Sequence, residues 1–533
     1  MNDTWDYIVV GAGSAGCAIA SRLSADPKNR VLLLEAGPKD RNPWIHIPIG
    51  YYQTMLSDLS WGYDTEPEPE LNDRKIHWPR GKVLGGSSSI NGLLYIRGQR
   101  EDYDHWRQLG NVGWGSDDVL PYFKRAEDNE RGSDEWRGKG GPLKVSDLRD
   151  KREICDAYIA ACEAEGIPHN ADFNGAEQEG VGYFQTTSGS GLRCSAAKGY
   201  LKPARDRANL KIETGALASR LHIKDKRVTG VHYTQDGAEK VAECRGEIVL
   251  SGGAINSPQL LQLSGVGPGD RLVELGIDVT HHLPGVGQDL QDHLQVRSLY
   301  RLNKPLSIND EVNHPLRKAW AGIKFGLMRT GPLTLSAGSV GAFVKVLPES
   351  ATPDVQFHFI PFSADKPGTG LHRWSGVLSS VCQLRPESRG EIIVTSKDPT
   401  QHPRIVANYM STEHDKRVML EGLRLARRIS QSSPFARYVE EEVEPGLDRT
   451  DDDGLMAHIR ERATTVFHPT STCRMGNDPM AVVDPTLQVH GLCGLRIADC
   501  SIMPTVPSGN TNAPAIMVGE KCADMMLEAA RSA

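Results

Sequence analysis

Three glycines near the N-terminus, Gly11, Gly13 and Gly16, form a Gly-x-Gly-x-x-Gly loop suited to holding a phosphate. The first permits a tight turn, the second lets the backbone approach a pyrophosphate, and the third lets a helix pack closely on a strand. The phosphates then lie at the positive N-terminal end of that helix. Glu35 follows 19 positions after Gly16, where a carboxylate accepts hydrogen bonds from ribose hydroxyls and disfavours the 2′-phosphate of NADP. The pattern predicts a site for NAD or FAD, with glycines used only for packing as the alternative.

A second segment rich in glycine and serine, RGKVLGGSSSING, spans residues 80–92. Glycines leave the backbone N–H groups open to close approach, and the serines add hydroxyl groups. Such a segment suits contact with the pyrophosphate and the ring edge of a cofactor. A bare loop without a ligand is the alternative.

Proton transfer near neutral pH requires another residue type, and histidine suits it because its unperturbed pKa is about 6.5. The chain has 17 histidines. Most histidines in a protein are ordinary surface or core residues. Residue type alone therefore does not identify a general base in this chain.

Two continuous apolar runs, residues 7–10 and 31–34, flank the first glycine loop, and a helix of small residues runs from the loop to Leu23. Because the runs are wholly apolar rather than alternating, they predict parallel strands buried on both faces. Residues 246–254 and 495–499 have the same strand character. These elements predict an α/β fold class, with a Rossmann-like nucleotide-binding domain assembled from distant pieces of the chain.

The middle of the chain follows a different pattern. Residues 355–359 alternate apolar and polar side chains, which is typical of an antiparallel strand with one covered face. We therefore expect a substrate-binding α+β domain, built on an antiparallel sheet, over residues 306–460. The nucleotide-binding domain then spans residues 1–305, with insertions from the other domain near 150–185, and resumes over residues 461–533.

The composition is that of an ordinary globular protein, with 39% of 533 residues apolar and 24% charged. A net charge of −7 is too small to predict a polyanionic partner, so we expect no nucleic acid binding. The first residues lack a basic start followed by an apolar stretch, which makes a cytoplasmic location the expectation. No apolar run reaches the about 18 residues of a membrane-spanning helix. The ten cysteines show no zinc-like spacing, so we expect free thiols and no metal site.

A helix predicted at residues 315–329 has an amphipathic pattern. Four apolar residues share one face: Leu316, Trp320, Ile323 and Leu327. Four basic residues lie elsewhere on the helix: Arg317, Lys318, Lys324 and Arg329. Core packing is the commoner reason for such a pattern. Peripheral contact with the inner face of the cell membrane is the alternative.

Seven segments of the sequence resemble motifs of the glucose-methanol-choline (GMC) oxidoreductase family. They are GAGSAG at 11–16, RGKVLGGSSSING at 80–92, SGGAINSPQLLQLSGVG at 251–267, GVGQDLQDH at 285–293, HPTSTCRMG at 468–476, LRIADCSIMP at 495–504 and GNTNAP at 509–514. Because they occur in family order and span residues 11–514, the resemblance covers essentially the whole chain.

The resemblance implies FAD as the cofactor. Contacts with FAD are implied at Gly11, Gly13, Ser14, Ala15, Gly16, Glu35, Ala36, Arg80, Gly81, Val83, Gly85, Gly86, Ser87, Asn91, Gly92, Asp499, Asn510 and Thr511. Some members carry a histidine at the position of Ile90 and bond it covalently to the flavin. Since isoleucine offers no nucleophile, we predict non-covalent, dissociable FAD. Asp499 is similar to a family acidic residue near the ribityl chain, with a plain strand-end or helix-cap residue as the alternative.

The resemblance also assigns the catalytic residues. In the family the base is the histidine matched here by His468, and Asn510 occupies the second position that touches the substrate oxygen. The implied reaction is the oxidation of a primary alcohol to an aldehyde, in which His468 takes the hydroxyl proton and a hydride passes to flavin N5. The electrons then pass to a quinone-like acceptor or to oxygen. A simple turn role for Asn510 is the alternative.

Three classes of function stay open. The chain is similar to bacterial choline dehydrogenase, to the dehydrogenase of medium-chain aliphatic alcohols and to polyethylene glycol dehydrogenase. An alcohol dehydrogenase is therefore the favoured class. An oxygen-using choline or aryl-alcohol oxidase is an alternative within that class. Plant hydroxynitrile lyases share this scaffold and keep FAD without net redox chemistry. A flavin-binding protein without catalysis is the third class, and the presence of both His468 and Asn510 argues against it. No carboxylate or aromatic cage for choline is identifiable, and the 6% aromatic content favours an aliphatic or aryl alcohol.

Overall fold

The computed structural model describes residues 4–365 and 369–532. The strand Thr4–Val10 ends at the glycine loop, the helix Ser14–Leu23 begins directly after the loop, and the strand Val31–Glu35 follows. The last four residues of the first strand and the whole second strand are buried, because both lie inside a parallel sheet covered on its two faces. The predicted βαβ unit is confirmed.

Seven strands from distant parts of the chain form the first sheet. Its parallel part contains Leu210–Thr214, Val31–Glu35, Thr4–Val10, Ala238–Leu250 and Leu495–Ile497. The antiparallel strands Arg227–Gln235 and Leu217–Lys224 extend the sheet on one side. The glycine loop lies beyond the carboxyl ends of the parallel strands, where open α/β sheets bind their ligands.

The second sheet is antiparallel throughout. Its strands, in order, are Val439–Glu444, Leu294–Leu302, Gly376–Gln383, Val355–Ile360, Val340–Val344 and Gly180–Tyr183, and Thr464–Thr465 also pairs with the second of them. This sheet and the first one confirm the predicted fold class. The domain limits at residues 305 and 460 stay a prediction.

The strand Val355–Ile360 is buried along its whole length, whereas its alternation predicted one covered face. On one face Val355 lies beneath the helix Glu413–Gln431, where a Cβ added at Gly422 would be 3.5 Å from Cγ1 of Val355. The opposite face carries His358, which lines an internal cavity. The polar side chains of this strand therefore face an enclosed site and not bulk water.

Further helices cover the sheets: Arg100–Gln108, Ser116–Ala126, Glu153–Ala164, Gly253–Leu263, Asp452–Arg462 and Asn512–Ser532. The last of these packs on Ser14–Leu23, where a Cβ at Gly519 would lie 2.5 Å from the Ala15 carbonyl oxygen. The hydroxyl of Ser14 donates to Oδ1 of Asn512 at 2.7 Å. This pairing places the start of the C-terminal helix beside the glycine loop.

The helix Pro315–Met328 does not pack into the core as the commoner explanation of its pattern required. It buries only Ala321 and Phe325. Its four predicted apolar residues are exposed, with Leu316 at 76%, Trp320 at 61%, Ile323 at 51% and Leu327 at 82%. The apolar stripe thus points away from the protein body.

Two observations concern the described ranges as a whole. Within residues 4–365 and 369–532, no helix is both long enough and apolar enough to cross a membrane. In the same ranges, no cluster of three or more His, Cys, Asp or Glu side chains is arranged to hold a metal ion. All ten cysteines are free thiols.

Candidate active site

The glycine loop and the segment 80–92 line a common cleft on the first sheet. Twelve of the predicted cofactor residues line it: Gly11, Gly13, Ser14, Ala15, Glu35, Ala36, Arg80, Gly81, Gly86, Ser87, Asp499 and Thr511. These residues come from both ends of the chain. The cleft therefore exists only once the two ends have folded onto the same sheet.

The two glycine-rich segments meet where Gly86 lies against Gly13. Gly86 has a φ of +53°, and a Cβ there would lie 2.7 Å from the Gly13 Cα atom. Beside them, the N–H of Gly85 donates to the carbonyl oxygen of Ala12 at 2.8 Å. A Cβ at Gly16 would lie 2.0 Å from the Gly11 carbonyl oxygen. Backbone approaches of this closeness require glycine, and they leave main chain rather than side chains to line the cleft.

Glu35 lines the cleft and is buried. Its two carboxylate oxygens accept hydrogen bonds from the N–H groups of Ala12 at 2.9 Å and Gly37 at 2.8 Å. Burial raises the pKa of Glu35 to about 7. Because each carboxylate oxygen has two acceptor sites, both oxygens keep one for a ribose hydroxyl.

Arg80 connects the cofactor cleft to the segment that carries His468. The Ser87 hydroxyl oxygen accepts hydrogen bonds from Nη2 of Arg80 at 2.8 Å and from the N–H of Gly81 at 3.1 Å. Nη1 of Arg80 donates to the carbonyl oxygen of Phe467 at 2.7 Å. A guanidinium held in this way fixes the residue that precedes His468.

Asp499 lines the cleft and is also a helix cap. Its Oδ2 accepts from the N–H of Gly253 at 2.8 Å and the hydroxyl of Ser257 at 2.6 Å. Its Oδ1 accepts from the N–H of Ser501 at 2.7 Å, at the start of the short helix Cys500–Ile502. Both predicted roles of Asp499 are thus compatible with its position.

The other predicted cofactor residues lie outside the cleft lining. Gly16 and Gly85 make the backbone contacts described above, and Val83 is buried in a cluster with Ile45, Leu59 and Ile90. Asn91 and Gly92 line an adjoining cavity instead. Asn91 is fixed there because its Oδ1 accepts from Nη1 of Arg193 at 2.6 Å.

The adjoining cavity brings together His468, Asn510 and Ile90. It shares part of its lining with the cofactor cleft, namely Ser14, Arg80, Ser87, Cys500, Thr511 and Ala515. Its far side is the second sheet. The cavity therefore lies between the cleft and the second sheet.

His468 is buried and held at three of its atoms. Its backbone N–H donates to Oδ1 of Asp292 at 2.7 Å. Its Nδ1 lies 3.0 Å from Nδ1 of His293, and its Nε2 lies 3.3 Å from Nδ2 of Asn510. Burial lowers the pKa of His468 well below its ordinary value, and the nearby His293, His358 and Arg80 lower it further. The imidazole is therefore neutral near pH 7.

The hydrogen-bond chain determines which nitrogen of His468 carries the proton. Nε2 of His293 lies 3.0 Å from the carbonyl oxygen of Leu384, which can only accept, so this nitrogen carries the proton of His293. Burial lowers the pKa of His293 to about 4, so its Nδ1 is an unprotonated acceptor. Nδ1 of His468 must then donate to it. Nε2 of His468 consequently presents a lone pair to Asn510 and the cavity.

Asn510 is oriented by a residue of the second sheet. Nε2 of Gln356 donates to Oδ1 of Asn510 at 3.3 Å. This contact directs the Nδ2 amide group of Asn510 toward Nε2 of His468. An alcohol oxygen between these two groups would accept from the amide and donate to the imidazole.

Sequence patterns did not identify the residues that support His468 and Asn510, nor His358 in the cavity wall. His293 ends the motif at 285–293, and its chain neighbour Asp292 supports His468. Gln356 and His358 are the polar members of an alternating run whose apolar members face the core. Polar residues at alternate positions of a buried strand would have indicated that one face of the strand meets a polar cavity. Only the pairing of the strands shows which cavity that is.

The fold and site together define a dinucleotide-binding oxidoreductase with a histidine and an asparagine at the end of its cofactor cleft. Sequence profiles described as GMC oxidoreductase match residues 5–295 and 386–519. The chain belongs to the GMC oxidoreductase family, and it is an FAD-dependent enzyme that oxidises alcohols. The main-chain-lined cleft and the buried carboxylate of Glu35 fit this cofactor.

Known relatives match over almost the whole chain. The alcohol dehydrogenase [acceptor] of Pseudomonas putida is 44% identical over 98% of this chain and 96% of its own length. The oxygen-dependent choline dehydrogenase of Photobacterium profundum is 41% identical over 99% of this chain and 94% of its own. Among solved structures, pyridoxine 4-oxidase from Mesorbium loti aligns with a TM-score of 0.88 and 30% identity, covering 98% of this chain and 99% of its own.

Proposed function

We propose that the protein oxidises a primary alcohol to an aldehyde with His468 as the general base. The observation that carries the proposal is the lone pair on Nε2 of His468, which the bond from His468 to His293 directs into the cavity. Asn510 lies 3.3 Å from the same nitrogen. A neutral imidazole beside an amide donor can take a proton while the developing alkoxide is stabilised.

In this proposal the substrate hydroxyl donates its proton to Nε2 of His468, and the oxygen accepts a hydrogen bond from Nδ2 of Asn510. The C–H bond of the carbinol carbon breaks as the C=O bond forms. Bound FAD supplies the acceptor for the hydride at flavin N5. Gln356 keeps the amide of Asn510 in the orientation that this hydrogen bond requires.

We propose that the FAD is bound without a covalent bond to the protein. Ile90, at the family position of covalent attachment, is buried and lines the substrate cavity. Its hydrocarbon side chain offers contact but no nucleophile. The predicted residues that line the cleft and the cavity hold the cofactor through main chain and polar side chains, with Glu35 at the adenosine ribose and Asp499, Asn510 and Thr511 near the flavin.

A quinone-like acceptor is the proposed destination of the electrons, and oxygen is the second candidate. The Pseudomonas putida relative is named a dehydrogenase with an unspecified acceptor. Reoxidation of the reduced enzyme with air or with a soluble quinone, at equal concentrations, distinguishes the two acceptors.

Lyase chemistry on the same scaffold is the alternative to oxidation.

The test of the reaction is anaerobic mixing of the holoenzyme with primary alcohols while the flavin absorbance is followed. We expect the flavin to bleach with the wild type and to stay oxidised in His468→Ala, with FAD still bound. The exposed His105 provides the control His105→Ala, which should bleach as the wild type does. Turnover of a cyanohydrin without bleaching by any alcohol would instead support the lyase.

We also propose that the helix Pro315–Met328 rests on an anionic membrane surface at the cytoplasmic side. Its exposed stripe includes Trp320, a residue typical of bilayer interfaces, and residues 314–329 contain four basic residues and no acidic ones. A symmetric pair of copies would bring two such basic sets together, which is unfavourable. Anionic lipid headgroups complement both the basic residues and the apolar stripe.

A further inference from the structure

The face of the second sheet that lines the substrate cavity carries an unusual row of side chains. Arg297 pairs with Ser380 across one strand boundary, and Ser380 pairs with His358 across the next. All three residues line the cavity that contains His468 and Asn510. The row thus places an arginine and a histidine on the same wall, opposite the cofactor cleft.

Three side-chain nitrogens of this row have no hydrogen-bond partner among the described residues. They are Nε of Arg297 and both ring nitrogens of His358, all buried, and His358 as a whole is only 4% exposed. Arg80, the other arginine or lysine among the described lining residues, is bonded to Ser87 and to the Phe467 carbonyl. The guanidinium of Arg297 is therefore available to a ligand, whereas that of Arg80 already binds groups of the protein.

No carboxylate of the described chain compensates Arg297 in the cavity. The lining residues include neither aspartate nor glutamate. The acidic group that acts on Arg297 from outside is Glu444, which forms its own ion pair with Arg462. Burial of the guanidinium lowers the pKa of Arg297. Buried charges normally have a partner because an isolated one is costly, and a guanidinium matches a carboxylate in a bidentate manner.

We propose that Arg297, assisted by His358, binds a carboxylate of the substrate, so that the enzyme oxidises hydroxy acids. This inference rests on the proposed alcohol oxidation at His468. The same charge repels a quaternary ammonium group, which makes choline a poor substrate even though choline dehydrogenases are among the relatives.

The register of the sheet indicates where the hydroxyl lies relative to the carboxylate. Gln356 contacts Asn510, and His358 lies two residues further along the same strand, a step of about 7 Å. A separation of this size favours an ω-hydroxy acid, with a hydrocarbon chain between its two polar ends, over an α-hydroxy acid.

The test compares anaerobic flavin reduction by ω-hydroxyhexanoate, hexanol and choline in the FAD-loaded enzyme. We expect kcat/KM for ω-hydroxyhexanoate to exceed that for hexanol by at least about tenfold, as a charge-assisted hydrogen bond allows, with choline the poorest. In Arg297→Gln this preference should fall by about tenfold, chiefly through KM, and Arg297→Lys should recover part of it. Arg301, on the same strand but paired with Glu441 outside the cavity, gives the control Arg301→Gln, which should retain the full preference.

Equal use of the acid and the alcohol by the wild type would overturn the inference, and so would an equal loss of both substrates in Arg297→Gln with FAD still bound. The proposed alcohol oxidation fails differently, because then no alcohol, charged or neutral, reduces the flavin. A melting temperature and a flavin spectrum for each variant separate loss of binding from loss of folding.

Discussion

Nδ1 of His293 lies 3.0 Å from Nδ1 of His468, and this contact determines the tautomer of the proposed base. The carbonyl of Leu384 holds the proton of His293 on its other nitrogen. His468 must then donate from Nδ1 and expose the lone pair of Nε2. Partners that fix the tautomer of a catalytic histidine make a large contribution to its function.

Replacement of His293 should therefore slow proton removal without removing the base. In His293→Phe the proton of His468 Nδ1 loses its acceptor, and we expect the rate of flavin reduction to fall by about 100-fold, within the range of base catalysis. His293→Gln, whose amide can donate to Leu384 and accept from His468, should recover much of the rate. Stopped-flow measurements with one alcohol check both. Equal losses in the two variants would show that His293 only fills space.

The pH dependence of flavin reduction follows from the lowered pKa of His468. The neutral form is the active base, and protonation at low pH removes it. Because burial and neighbouring charges shift this pKa below the ordinary value of about 6.5, the rate should stay constant from alkaline pH down through about 6.5 and decline only in more acidic solution. Rates measured across this range with a saturating alcohol test the prediction. A rate already halved at pH of about 6.5 would contradict it.

The contact between Gly86 and Gly13 should be essential for cofactor binding. Gly86→Ala introduces a Cβ 2.7 Å from the Gly13 Cα atom, which must separate the two segments that line the cleft. Gly62 also has a positive φ, +64°, but nothing lies within 4 Å of a Cβ there, so Gly62→Ala isolates the cost of backbone strain. We expect Gly86→Ala to lose FAD and Gly62→Ala to retain it. The flavin-to-protein absorbance ratio of the purified variants provides the measurement.

The cofactor should leave the protein on acid denaturation. Since Ile90 provides no atom for a covalent bond, precipitation of the holoenzyme with trichloroacetic acid should give a colourless pellet and a yellow supernatant. The absorbance of both fractions is measured. A yellow pellet after repeated washing would indicate covalent attachment at some other residue.

The exposed helix should bind vesicles that contain anionic lipid. We expect the wild type to sediment with vesicles of phosphatidylglycerol and phosphatidylcholine, and to do so less at high salt because the basic residues are screened. Trp320→Ser and Leu327→Ser should weaken sedimentation. Val112, which is 78% exposed elsewhere, supplies the control Val112→Ser. Concentration-dependent dimerisation through this helix without vesicle binding would indicate a second copy of the chain as the occupant.

Much of the lining of the cleft was predictable because its determinants are local. A glycine loop between a strand and a helix, with Glu35 at the end of the next strand, allows few conformations. Val83 shows the limit of motif-based prediction, since it lies inside the same segment as Ser87 yet packs into an apolar cluster. Membership of a motif does not determine which way each side chain points.

The amino-acid sequence by itself determined the α/β class, the dinucleotide loop and the candidacy of His468 and Asn510, because these depend on short-range backbone requirements and on ordered motifs. The tertiary structure decided the rest. His293 and His468 are 175 residues apart, and Arg297 and His358 share a row only through the pairing of three strands. The pattern of the helix Pro315–Met328 suits either a protein core or a membrane surface, and only the tertiary structure shows that its apolar stripe is exposed. Such relationships depend on which distant surfaces meet, and local sequence rules do not specify that.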